Sequence, residues 1–182
     1  MQVTYKSKKI PVREVERVVL FSDIRGSSRT TVEQSLHKIA EITEKFYAVC
    51  KKVMVGMEFL EFYADESLAI NSDSNAMVRK SLILRAELTS ILSKIGLDVG
   101  IGIHKDKILY LETNDLDMGV IKVGSSLNIA KRLEESSYGG DIIISETVYD
   151  ELTDKLKKEF KVKQEIKLRG WGLPIQTRVS IR

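Results

Sequence analysis

The sequence predicts an α+β fold in which helices cover a mostly antiparallel sheet. Three observations predict it. Apolar residues recur at steps of three and four along two long stretches, 32–53 and 77–95, which is the period of an amphipathic helix. Around them lie short runs that alternate or are rich in β-branched residues, as strands are. Only two prolines occur, Pro11 and Pro174, so the chain between them is free to run as unbroken elements.

The elements follow in order. Residues 15–22 are nearly continuous in their apolar part and predict a buried strand, followed by a turn at 25–28. Val32, Leu36, Ile39, Ile42, Phe46, Val49 and Val53 share one helix face, and Cys50 beside them reads as a small core residue. Residues 57–63 and 67–71 predict two strands joined by a tight turn at Ala64, Asp65 and Glu66. A second helix over about 75–95 ends at Gly96, a residue that tolerates the left-handed conformation. Then Leu97, Val99, Ile101 and Ile103 face one way and Asp98, Gly100, Gly102 and His104 the other. Residues 108–112 are expected to return as a separate partner strand. An extended piece at 118–123 leads to a helix over 126–136, with Ser125 or Ser126 as its cap. A buried strand at 142–144 and one helix over 146–156 follow. Phe160, Val162, Ile166 and Leu168 then alternate against Ile175, Thr177, Val179 and Ile181 across a loop holding Trp171, a plug over that loop. The opening order β-α-β-β-α-β is the split βαβ, ferredoxin-like arrangement, with helices on one face and a C-terminal αβ hairpin extension. Residues 1–14 are expected to form an N-terminal extension and 15–182 a single domain.

Composition excludes several classes. At 182 residues, 43% hydrophobic and 30% charged, the chain is neither disordered nor fibrous. Its apolar runs fall far short of the ~20 residues that span a bilayer, and no apolar stretch backs the polar, basic start. No membrane partner is expected. The one cysteine cannot close an intrachain disulfide, and a cytoplasmic location is expected. Lys and Arg number 29 against 26 acidic residues, too small an excess to argue for nucleic acid. The lysines at 155, 157, 158, 161 and 163 read as a solvated helix end. His37 and His104 read as structural, and no spacing suggests zinc.

The candidate chemistry is carried by few residues. Asp23 ends an apolar strand before a glycine turn, where a carboxylate is expensive to desolvate without a cation. The backbone N–H groups about Ile24, Gly26 and Ser27 would suit phosphate oxygens. Taken alone, an aspartate capping a helix is the commoner explanation. Asp65 lies in the hairpin turn, and a split βαβ sheet brings that turn to the same edge as Asp23. Two carboxylates at one edge suit Mg²⁺, which takes one or two of them and completes its octahedron with substrate phosphates. Solvation of the turn by Asp65 and Glu66 is the other reading. Asn128 and Arg132 stand four apart on one helix face, a weak signal by itself.

Together these pieces resemble the catalytic domain of class III nucleotidyl cyclases, the adenylate and guanylate cyclase family, from about residue 15 to 179. Residues 20–26, Leu-Phe-Ser-Asp-Ile-Arg-Gly, look like its first metal motif, and Phe62, Tyr63, Ala64 and Asp65 followed by Ala69 like its second. Residues 99–104 are similar to its central strand. Gly124, Leu127, Asn128, Ala130, Arg132, Leu133 and Glu134 match its catalytic helix, and residues 142–149 the segment after it. Leu168, Arg169 and Gly170, then Pro174 and Ile175, resemble its closing hairpin. The order and spacing carry the resemblance more than any single piece.

The resemblance implies conversion of a nucleoside triphosphate to a 3′,5′-cyclic monophosphate and pyrophosphate. Asp23 and Asp65, helped by the Ile24 carbonyl, would hold two Mg²⁺ or Mn²⁺ ions. Asn128 would orient the ribose and Arg132 would neutralise charge on the α-phosphorus. In the family these two sets come from opposite subunits, which implies a homodimer. Glu61 stands four residues before Asp65, where the family's guanylate cyclases carry a glutamate that accepts from guanine, and so leans toward GTP. Ile121, three residues before Gly124, replaces a hydrogen-bonding residue at the other base-reading position. Ala64 replaces a glycine, Ser27-Ser28 a Phe-Thr pair, and Ser125-Ser126 an Asp/Asn-Thr pair. Lys167 or Arg169 would serve the triphosphate. Divergent short members include bacterial pyrimidine cyclases of antiphage defence, so GTP, ATP and pyrimidine nucleotides all stay open. A non-catalytic cyclase-like module that binds nucleotide or dimerises is the alternative. An unrelated ferredoxin-like domain on RNA would need the aromatic sheet motif this sequence lacks.

Overall fold

A computed structural model of the chain describes residues 2–5, 8–27, 35–112, 120–167 and 174–180. In chain order the elements are β1 (Gln2–Tyr5), β2 (Lys8–Arg25), α1 (Leu36–Val53), β3 (Phe59–Tyr63), β4 (Glu66–Asn71) and α2 (Ser74–Leu92). After a 3₁₀ turn (Ser93–Ile95) come β5 (Asp98–Glu112), β6 (Val120–Val123), α3 (Ser125–Glu135), β7 (Ile142–Ser145), α4 (Glu146–Asp150), α5 (Asp154–Lys157), β8 (Val162–Ile166) and β9 (Ile175–Val179). The sheet runs β3-β4-β2-β5-β7-β9-β8, with β1 added to β2 and β6 to β5. Every pairing is antiparallel except that of β5 with β7. The α+β class and the βαββαβ core are thus as the sequence predicts.

The alternation at 97–104 sorts the two faces of the sheet. Val99, Ile101 and Ile103 join Val18 and Leu20 of β2 under Phe46, Val49 and Cys50 of α1 and Met77, Leu84, Leu88 and Leu92 of α2. Each such side chain contributes roughly 1.5–3 kcal/mol on burial. Helix α1 starts at Ser35, whose hydroxyl accepts from the Lys38 amide at 3.4 Å. Helix α2 starts at Asp73, whose carboxylate accepts from the Asn75 and Ala76 amides at 2.8 and 3.0 Å. Gly96 ends the following turn at φ 73°, in the left-handed conformation expected of it. Cys50 is buried, and burial pushes its thiol up to about 12, as suits a core residue. His104 is buried too, and the same desolvation lowers its imidazole to about 4.

The opposite face carries α3, which lies directly on β5. Gly102 makes this possible, because a Cβ there would fall on the Glu134 amide nitrogen and the Ala130 carbonyl oxygen. Val19, Ile70, Ile108 and Ala130 form the small core on this side.

Four local expectations are corrected. Residues 108–112 do not return as a separate strand. They continue β5, which pairs with β2 without interruption from Arg25↔Asp98 to Val12↔Leu111; 105–107 (Lys-Asp-Lys) contain neither glycine nor proline to turn the chain. Strand β2 is longer than the predicted 15–22: it runs through Pro11, which pairs in register with Gln2 of β1, so residues 8–14 belong to the sheet. The residue capping α3 is Gly124, in extended conformation, not Ser125 or Ser126. The helix over 146–156 is two, interrupted where Thr153 adopts extended angles. The hairpin loop with Trp171 lies outside the described residues. Among the described residues no helix is long and apolar enough to cross a membrane.

Replacing Gly102 with alanine should force α3 off β5. The expected cost is roughly 2–3 kcal/mol, a fall in Tm of roughly 5–10 °C read by circular dichroism. An unchanged Tm would mean that α3 is not seated on the strand.

Candidate active site

Strand β2 delivers Asp23 to the point where the β3–β4 hairpin folds back. Asp23 pairs in register with Glu66, and Ala64 and Asp65 form the turn just before it. The Ile24 amide donates to the Asp65 carbonyl at 3.3 Å, tying the hairpin tip to the end of β2. The Tyr47 hydroxyl donates to the Ala64 carbonyl at 2.6 Å from the other side. Ala64 is held at φ 51°, a left-handed conformation that costs a non-glycine residue roughly 1 kcal/mol. Gly26 turns the chain at φ 87°. Beside it, a cavity of about 310 Å³ is lined by Ile24, Ser27, Ile39, Thr43, Asp65 and Leu97.

The hairpin turn that carries Asp65 lies against the end of β2, close enough for the Asp65 charge to act on Asp23. The Asp23 side chain is 22% exposed. Burial first and the Asp65 charge second push its carboxyl up to about 6, against the pull of Lys131 and Arg25. Among the described residues no three His, Cys, Asp or Glu side chains form a ready cage for a metal. Two carboxylates beside a turn of backbone instead make a partial set of hard oxygen donors. Such a set suits a cation that draws its remaining ligands from substrate and water.

Helix α3 presents three faces. Ile129, Ala130 and Leu133 are buried. Asn128 and Arg132 are exposed; the Arg132 side chain, 43% exposed, donates to Glu135 at 2.6 Å. Among the described residues, neither Asn128 nor Arg132 contacts Asp23 or Asp65. The third face was not legible in the sequence. Lys131 pairs with Glu66 and, at 2.9 Å, with Glu134. The fully buried Glu134 carboxylate also lies 2.6 Å from Arg25 Nη2. Burial pushes Glu134 up to about 7 despite these two cations. The available signal was the pair Gly100 and Gly102, which reserves space over β5. A Cβ at Gly100 would collide with the Arg25 guanidinium.

Glu61 lies on the face of the sheet that carries α3, above a hollow of about 270 Å³ lined by Phe21, Tyr63, Glu66 and Leu68. Its neighbour is Lys122, also missed from the sequence. The Lys122 ammonium lies 3.1 Å from the Phe59 ring centroid and 3.7 Å from the Glu61 carboxylate. This side chain is only 8% exposed, and desolvation lowers its pKa. The register sets Lys122 against Tyr110 and Ile121 against Leu111. Ile121 is placed by its backbone alone, and Arg169 lies outside the described residues.

A family model described as the adenylate and guanylate cyclase catalytic domain matches residues 10–179. No curated protein sequence matches the chain. Among solved structures, the adenylyl cyclase CyaB from P. aeruginosa superposes with a TM-score of 0.79 at 20% identity, covering 94% of this chain and 96% of that one. The guanylyl cyclase Cya2 gives 0.77 at 19% identity, covering 92% of each. The guanylate cyclase domain of RhGC from Catenaria anguillulae, solved in complex with GTP, gives 0.68 at 20%, covering 93% of this chain and 98% of that one. With a catalytic-domain match over nearly its whole length and the same fold as these enzymes, the chain is a nucleotidyl cyclase catalytic domain and belongs to the adenylate and guanylate cyclase family.

Proposed function

We propose that this domain works as a metal-dependent homodimer that cyclises a nucleoside triphosphate, with GTP preferred, releasing pyrophosphate. The observation that carries the reading is the meeting of Asp23 and Asp65 at the bonded tip of the β3–β4 hairpin. Asp23, Asp65 and the Ile24 carbonyl would hold Mg²⁺ or Mn²⁺, two ions per site. When bound, these supply Lewis acidity to the 3′-hydroxyl and neutralise the departing pyrophosphate.

The chain's own groups do the rest. Backbone N–H groups at Gly26 and Ser27 receive triphosphate oxygens, and Arg169 serves the same phosphates. The 3′-hydroxyl gives up its proton to water, its oxygen bonds to the α-phosphorus, and the bond from that phosphorus to pyrophosphate breaks. Arg132 stabilises the charge that grows there, where a fixed guanidinium counts most. Asn128 holds the ribose. Both project from the exposed face of α3, which supports a two-fold dimer in which each chain completes its partner's site. Glu61 reads the base. A carboxylate accepts best from two adjacent N–H groups, which guanine offers at N1 and N2. Lys122 beside it supplies a donor for O6. Ile121, next along β6, adds only apolar contact.

Incubation with each of four nucleoside triphosphates and Mn²⁺ should give cyclic product, fastest with GTP. Product from none of them would reduce the domain to a nucleotide-binding module. Asp65→Asn should lose at least roughly 10³-fold in kcat while its far-ultraviolet spectrum stays native; an unaffected rate contradicts the metal role.

Asp65→Asn and Arg132→Ala, each inactive alone, should recover about one quarter of wild-type activity when refolded together in equal amounts. Half of the resulting dimers would carry one intact site of two. No recovery would argue against shared sites.

The raised Asp23 carboxyl also has a sign. Its contribution to stability is fully present below pH 4 and is lost as pH rises through about 6. Asp23→Asn removes that loss. It should melt on the order of 5 °C above wild type at pH 8 without metal, and level with it at pH 4. Equal Tm values at both pH values would mean that Asp23 is neither desolvated by burial nor repelled by Asp65.

A further inference from the structure

At the end of β2 four carboxylates and two cations share one cluster: Asp23, Asp65, Glu66 and Glu134 with Arg25 and Lys131. With all six groups ionised, the cluster carries two net negative charges. How the two cations are shared decides whether Asp23 is available to a divalent ion.

Arg25 stands two residues from Asp23, on the same side of β2. Its Nη1 is 3.7 Å from Asp23 Oδ2. A guanidinium so close ordinarily closes into a two-pronged pair with a carboxylate, which would occupy the oxygens a metal needs. It does not close here because Nη2 is engaged elsewhere. That nitrogen lies 2.6 Å from Glu134 Oε1, donates to the Glu134 carbonyl oxygen, and donates to Ser137 Oγ at 3.3 Å. Gly100 leaves the room in which the guanidinium crosses β5 toward α3. Lys131 is held in the same way, by Glu66 on one side and Glu134 at 2.9 Å on the other. Glu134 thus takes two partners, and they are the two cations whose charges act on Asp23.

We propose that Glu134 is a positioning residue for the divalent cation: by holding Arg25 and, with Glu66, Lys131, it keeps both off Asp23 and leaves the Asp23–Asp65 pair open to metal. This rests on the reading of Asp23 and Asp65 as metal carboxylates.

The test titrates Mn²⁺ alone into the whole chain at pH 8 and follows free Mn²⁺ by electron paramagnetic resonance. Wild type should bind, and Glu134→Gln should bind roughly tenfold more weakly or worse. Adding Arg25→Gln to Glu134→Gln should restore binding, because the competitor is gone. A merely structural Glu134 would lower Tm without that rescue. Undiminished binding by Glu134→Gln overturns the proposal and leaves the metal reading standing, whereas no binding by wild type overturns the metal reading itself. Arg25→Gln alone serves if Glu134→Gln does not fold. It should bind Mn²⁺ at least as tightly as wild type, and weaker binding would show that Arg25 assists the metal and overturn the proposal.

Discussion

The hydrogen bond from the Ile24 amide to the Asp65 carbonyl holds two like charges together. It fixes the tip of the β3–β4 hairpin against the end of β2, so that the Asp65 charge acts on a half-buried Asp23. Water would screen their repulsion if they were free to turn outward. The strand pairing on both sides of β2 denies them that freedom. An arrangement that raises the energy of the folded state in this way is common where a ligand is to be received.

The remaining charges at this end of the sheet are arranged around that constraint. Glu134 is fully buried on a helix that lies against backbone, and its carboxylate would be very costly without cations. Arg25 and Lys131 meet that need and join β2, β4 and α3 in one circuit of ion pairs. The circuit also ties the end of β2, which carries Asp23, to the helix that carries Asn128 and Arg132. Asn128 and Arg132 leave α3 on its exposed side.

Backbone proximity makes the circuit possible. The alternation of β5 sends Val99, Ile101 and Ile103 into the main core and Gly100 and Gly102 to the other face. There the absence of side chains admits the Arg25 guanidinium and the α3 backbone. The same face holds Glu61 and Lys122, with the ammonium stacked on Phe59. One β-strand thus separates core from site by its period of two.

The α+β class, the βαββαβ order, the core faces of α1 and α2, and the convergence of Asp23 with Asp65 were all legible in the sequence. They follow from local periodicity and from the few ways such elements pack. The continuous β5, the cap at Gly124 and the break at Thr153 were not, because each depends on backbone pairing that local residue preference does not encode. Lys131 and Lys122 read as ordinary polar positions along the chain, and Glu134 as part of the helix motif with no role of its own. Only the tertiary structure gave them partners: ion pairs form between residues brought together from distant segments, and their burial is a property of the packed sheet and helix rather than of any stretch of sequence.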